Sequence, residues 1–161
     1  MARDRDASGR ARNARERDEL GRVLPEGAAG IPRIAEDAVF APREALVLAQ
    51  DLLDRGRAFH AHEVFEAMWK QADQHDRALW RGLAQLAVAI THVQRGNRKG
   101  ALALLQRATD ALDRRGTPYD VDTAGLVGYA AALADDLRAG AELGADRLRP
   151  TVSLPEHQPP R

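Results

Sequence analysis

The fold is decided by residues 79–93, which read LWRGLAQLAVAITHV. Large apolar side chains recur there at every third or fourth position, which is the period of one face of an α-helix. The stretch therefore predicts a long amphipathic helix, over about Asp76–Arg95, with one face directed into a core. The residues that carry this period are Leu79, Leu83, Leu86, Ile90 and Val93.

Similar periods on both sides predict four more helices, and no stretch has the alternating pattern of a strand. Glycine, proline and capping residues separate the segments. Small residues at Ala89, Ala101 and Ala108 are typical of a tetratricopeptide-like helical hairpin. We predict an all-α fold, a compact orthogonal bundle of about five helices that contains this hairpin. The predicted helices are Pro42–Arg55, Arg57–Gln71, Asp76–Arg95, Arg98–Arg114 and Asp122–Arg138.

Composition divides the chain of 161 residues into three parts. Residues 1–41 are rich in charge and glycine and form an N-terminal arm or linker, residues 42–140 form the helical domain, and residues 141–161 form a proline-containing tail. We expect that tail to be disordered, because prolines are frequent beyond Arg149. The arm has no sustained helical period and is itself predicted as disordered or loosely attached.

Several functional classes are excluded by composition. The formal net charge is zero, so we expect no nucleic-acid partner. The chain has no cysteine, which excludes disulfides and thiolate metal sites. We find no signal-peptide pattern and no apolar run of membrane-spanning length, so we predict a cytoplasmic protein without a membrane partner. The only serines, Ser8 and Ser153, lie in the tails, which excludes a catalytic serine triad from the domain.

Candidate site residues come from the second predicted helix. His62, Glu66 and Trp69 follow one another at helical spacing and form one stripe. A histidine and a carboxylate one turn apart can share a metal ion or a proton, or can simply satisfy each other at the edge of the core. Glu63 is predicted to point away from this stripe. His60 and His75 are predicted to be surface residues.

The third predicted helix supplies further polar side chains. Gln85 and His92 are seven residues apart and share a face. If that face packs beside the second helix, these side chains meet His62 and Glu66. The combined set suits a divalent metal such as zinc, manganese or iron, with His62, Glu66 and His92 as ligands.

These motifs resemble the bacterial and archaeal domain-of-unknown-function 309 family over about Pro42–Leu112. The shared features are His-x-x-x-Glu-x-x-Trp at 62–69, Gly-Leu-x-Gln-Leu-Ala at 82–87 and His-x-x-x-Gly-Asn at 92–97. The resemblance implies a suspected metal site at His62 and Glu66, with Trp69 as a packing residue and no established reaction. Arg81 departs from the glutamine that is usual in the family.

The same resemblance bears on the arm, because Gly9–Arg15 and Asp18–Arg22 look like an arm of actinobacterial members. It implies an extended segment held on the domain by arginines.

Three functions are left open by these residues. The first is a binding module with a pocket of His62, Glu66, Gln85 and His92 framed by Trp69, which holds a metal ion or a small ligand. The second is a metal-dependent hydrolase that uses the same pocket, with a metal-bound water as nucleophile. The third is a structural or adaptor protein that has no such site. A homo-oligomer is compatible with all three.

Overall fold

The computed structural model describes residues 16–35 and 37–155, which form an all-α bundle. The five α-helices of this part, in chain order, are α1 (Pro42–Asp54), α2 (Ala58–Gln71), α3 (Arg77–Gln94), α4 (Arg98–Leu112) and α5 (Thr123–Arg138). Within it no β-strand forms, and isolated antiparallel bridges join Arg17 to Val23 and Val121 to Ser153. The predicted fold class is confirmed.

The helix ends follow the signals in the sequence. Pro42 is the first residue of α1, where its missing N–H group costs nothing. Gly96 lies between α3 and α4 with a φ of 77°, a conformation that glycine adopts without strain. The side chains of Asn97 and Asp122 cap α4 and α5 by accepting a hydrogen bond from the backbone N–H three residues further on.

Helix α3 lies at the centre of the bundle, where it packs most extensively against α4 and next against α2. The hairpin of α3 and α4 is closely packed, because Ala89, Ala101 and Ala108 are completely buried. Gly82 allows the same close approach: a Cβ atom there would lie 2.8 Å from Cγ of Leu112. The large side chains Phe65 and Trp80, which are about 1% exposed, also lie in the core.

The segment 141–155 is ordered, which differs from the sequence prediction of a disordered tail. It forms a short 3₁₀ turn at Ala145–Leu148 and then packs on the bundle, with Val152 only 1% exposed. The side chain of Gln50 accepts a hydrogen bond from Val152 N and donates one to Pro150 O. Buried apolar side chains, Leu148 and Val152 among them, and a hydrogen-bond partner about a hundred residues away thus hold a proline-containing segment that has no period of its own.

Candidate binding cleft

A cleft of about 210 Å³ lies between the N-terminal arm and helix α2. Its wall on α2 carries several charged side chains, and its other wall is the backbone and side chains of the arm. This volume is below the 300–1,000 Å³ that is typical of pockets for drug-sized ligands, so the cleft suits a compact occupant. The lining residues are Arg17, Arg33, Ile34, Ala35, Phe59, His62, Glu63, Glu66, Ala67 and Lys70.

Phe59 is the contact around which the arm closes. The guanidinium carbons of Arg17, Arg33 and Arg95 lie 5.3, 5.8 and 5.7 Å from the centre of its ring, within cation–π distance. Gly21 packs so closely that a Cβ atom there would lie 2.1 Å from the ring, and its φ is 74°. The arm can therefore reach Phe59 only with glycine at this position.

Arginine hydrogen bonds hold the arm at further points. Arg33 donates from both Nε (3.1 Å) and Nη2 (2.8 Å) to Oε2 of Glu63. From α3's end, Arg95 Nε donates to Leu20 O at 2.9 Å. Burial, together with the charges of Arg33 and Arg95, lowers the pKa of Arg17. Residues 16–35 are thus held on the domain by arginines, as the resemblance implied, while the stretch Gly9–Arg15 lies outside the described residues.

His62 and Glu66 meet in the cleft, as their spacing predicted. His62 Nδ1 is hydrogen-bonded to the carbonyl oxygen of Phe59, and Nε2 lies 3.4 Å from Oε2 of Glu66. A carbonyl oxygen can only accept, so Nδ1 carries a proton and the Nε2 of a neutral ring is an acceptor. The His62 side chain and Lys70 lower the pKa of Glu66 against the opposing effect of burial.

Two acceptor atoms, His62 Nε2 and Glu66 Oε2, would thus lie close together when the ring is neutral, and two arrangements can stabilise this contact. Either the ring takes up a second proton and donates to the carboxylate, or an outside donor or cation lies against both acceptor atoms. Lys70 is a cation near this pair, but it does not lie against both acceptor atoms, because its Nζ is 3.5 Å from Oε1, the other carboxylate oxygen of Glu66.

Glu63 lines the same cleft, which corrects the prediction that it points away from His62 and Glu66. Its side chain is only 8% exposed. Oε2 accepts from Arg33, whereas Oε1 is buried and has no hydrogen-bond partner among the described residues. The prediction was wrong because it considered α2 alone; the arm forms a wall wide enough to face Glu63 as well.

The other predicted site residues lie outside the lining of the cleft. Trp69 is half-buried against the hydrophobic core. Gln85 is half-buried on α3, and its Oε1 has no hydrogen-bond partner in the described part of the chain. His92 is also half-buried, with Nδ1 3.1 Å from Nδ2 of Asn97, and burial together with Arg95 lowers its pKa.

Two of the three predicted metal ligands, His62 and Glu66, lie together in the cleft. His62 Nε2 and Glu66 Oε2 lie close enough to bind one ion together. His92 is not part of the cleft lining, and in residues 16–35 and 37–155 no group of three or more His, Cys, Asp or Glu side chains is placed to hold a metal. The described residues thus provide two ligands, whereas catalytic zinc sites ordinarily use three.

His60 is buried, which corrects its prediction as a surface residue; His75 is exposed, as predicted. His60 is 1% exposed, and neither ring nitrogen has a hydrogen-bond partner within the described segments. Burial lowers the pKa of His60, and the charges of Arg57 and Arg33 act in the same direction. The prediction failed because buried residues occur on nearly every side of α2, well beyond its apolar stripe.

The comparison with protein families bears on the helical wall of the cleft. Residues 46–104 match the model of a domain of unknown function (DUF309). This match supports the predicted family, and it spans all of α2 and α3 with parts of α1 and α4. The arm lies outside the DUF309 match, so the actinobacterial type of the chain stays a prediction.

Two further comparisons found no similar protein beyond the match to the DUF309 model. No curated protein and no solved structure matches the chain. None of the helices that the structure describes is both long enough and apolar enough to cross a membrane.

Proposed function

We propose that the protein is a binding module, and that the cleft between the arm and α2 holds a compact polar ligand. One observation carries the proposal: Glu63 lines the cleft, and its buried Oε1 has no donor among residues 16–35 and 37–155. A buried acceptor that is left without a donor costs about 1–3 kcal/mol. A ligand that donates to this oxygen would recover that free energy.

His62 and Glu66 support the same function. In the neutral form of His62, the ring nitrogen and the carboxylate oxygen that lie 3.4 Å apart are both acceptors. A donor group of the ligand between them would bond to both atoms. The proposed ligand therefore meets acceptors from three neighbouring side chains on one helix, His62, Glu63 and Glu66.

The metal-dependent version of the site rests on the same pair of side chains. A divalent ion bound by His62 and Glu66 would complete its coordination with ligands from outside the pair, such as water or a substrate. Such an ion would supply a Lewis acid and an activated water, as the hydrolase hypothesis requires. The geometry favours the binding module, because a ligand in the cleft would also contact Glu63 and the arm, which a metal ion held by His62 and Glu66 does not require.

The binding module is tested by calorimetric titration with a set of compact amines, alcohols, carboxylates and phosphates. We expect at least one probe to bind wild type and to bind Glu66→Gln about tenfold more weakly, since hydrogen bonds to a charged group are the stronger ones. Glu44→Gln, an exposed position on α1, is the matched control and should bind as wild type does. Absence of binding by every probe would contradict the proposal.

The metal version is tested separately. Protein purified without chelator is analysed for bound elements and titrated with Zn²⁺ and Mn²⁺, alongside His62→Ala and the exposed control His75→Ala. A bound metal that is lost only in His62→Ala would support the hydrolase hypothesis. If neither ion binds, no small probe binds and His62→Ala mainly lowers stability, His62 and Glu66 are a structural pair.

A further inference from the structure

We infer that the ligand of the cleft is a small zwitterion, an ammonium group and a carboxylate joined by a short chain. This inference rests on the proposed function and names the chemical class of the ligand. It follows from the distribution of acceptors and basic groups around the cleft.

The acceptors define the site for the ammonium group. Glu63 Oε1, Glu66 Oε2 and the Nε2 of neutral His62 belong to side chains that line one wall. An ammonium group has three donors and no acceptor, so it can satisfy three acceptor atoms without leaving an oxygen or nitrogen of its own unpaired. A hydroxyl group brings only one donor and cannot do this.

The basic side chains argue against a ligand that is only a cation. Arg17 and Arg33 from the arm and Lys70 from α2 line the cleft together with the carboxylates of Glu63 and Glu66. Basic groups thus outnumber acidic ones, three to two, among the described lining residues. A purely cationic ligand would meet this field at a cost, whereas a carboxylate on the same molecule complements it.

Lys70 is the side chain best placed to meet that carboxylate. Its side chain is about half exposed, and its contact with Glu66 is long at 3.5 Å, so it can turn to a ligand at small cost. Arg17 lies on the opposite, arm side of the cleft. A cleft of about 210 Å³ limits the molecule to a few carbon atoms between the two charges.

Three probes with the same three-carbon chain separate the two charges: 3-aminopropanoate carries both, propylamine only the ammonium and propionate only the carboxylate. Each is titrated calorimetrically into wild-type protein. We expect 3-aminopropanoate to bind about tenfold or more tightly than either of the others, because each loses one set of charged hydrogen bonds.

Lysine substitutions test the carboxylate end. The sequence contains only two lysines, Lys70 and Lys99, and Lys99 is an exposed residue of α4 that does not line the cleft. Lys70→Met should weaken 3-aminopropanoate roughly two- to fivefold, as expected for a half-exposed ion pair, and should not weaken propylamine, which has no carboxylate for Lys70 to meet. Lys99→Met should change neither.

The outcomes distinguish this inference from the proposed function. If propylamine or propionate binds wild type as tightly as 3-aminopropanoate, the zwitterion class is wrong and the binding module stands. The class is also wrong if all three fail while another compact probe binds in a Glu66-dependent way. If no probe of any class binds, both the class and the binding module are wrong.

Discussion

Replacement of Phe59 by alanine should release the arm while the helical core stays folded. The guanidinium groups of Arg17 and Arg33, the two arm residues that lie over the ring, contribute about 0.5–1 kcal/mol each at a partly exposed site. Loss of the packing of Gly21 against the ring adds to this, so we expect a loss of about 2 kcal/mol in the free energy that closes the arm. That loss corresponds to a roughly thirtyfold larger population of the open arm.

Amide hydrogen exchange measures this effect locally. Within the arm, Leu24 N donates to Glu16 O and Ile31 N donates to Arg17 O, and we expect these two bonds to break more often when the arm is released from Phe59. In Phe59→Ala the two amides should exchange roughly thirtyfold faster than in wild type. The Ile90 amide in the core of α3 serves as the internal reference for global unfolding.

Phe59→Leu separates the ring charge distribution from simple packing. Leucine keeps most of the apolar contact with Gly21 but has no π-system, so it should show most of the increase in exchange. Equal acceleration of arm and core amides in Phe59→Ala would refute local release of the arm. Exchange in Phe59→Leu that matches wild type would refute the cation–π contribution.

Two further predictions concern the packing of the bundle and the charge of the cleft. Gly82→Ala should lower the free energy of unfolding by about 1–3 kcal/mol, because the added Cβ would meet Leu112. Gly128→Ala, with open space around the added Cβ, should be neutral or slightly stabilising. Denaturant unfolding measures both variants, and equal changes in stability would contradict the close approach of α3 and α4 at Gly82. His62→Ala should raise the pKa of Glu66 towards its ordinary value, because the His62 side chain, which donates to the carboxylate when the ring is protonated, is the largest cause of its lowering. Because the pKa of Glu66 is lower in the folded state than in the unfolded state, the ionised carboxylate stabilises the fold at pH values above the unfolded-state pKa. This stabilisation is lost as the pH falls through the folded-state pKa. The variant should therefore lose less stability in that acidic window, and a carboxyl carbon titration showing an unchanged pKa would refute the pairing.

The bundle could be predicted from the sequence because its signals are local. A run such as residues 79–93 shows its apolar period within one helix, and the caps at Asn97 and Asp122 act three residues away. The pair His62 and Glu66 was predictable for the same reason, since four residues on a helix fix their distance.

The rest of the cleft could not be predicted because it depends on contacts distant in sequence. Arg33 reaches Glu63 from thirty residues away, and the arm that carries it has no period from which its position could be inferred. His60 was misjudged for a related reason: the hydrophobic stripe of a single helix does not show which other segments cover its remaining sides. The sequence shows that the arm is rich in arginine, but it does not show which residues these arginines contact.

The most direct test of the binding cleft is a titration of isotopically labelled protein with 3-aminopropanoate, followed by amide chemical shifts. The account predicts saturable shifts concentrated in residues 59–70 of α2 and in the arm near Arg17 and Arg33, with smaller or no shifts in α4 and α5. Shifts centred on Gln85 and His92, or scattered without saturation, would contradict the assignment of the ligand site to the cleft between the arm and α2.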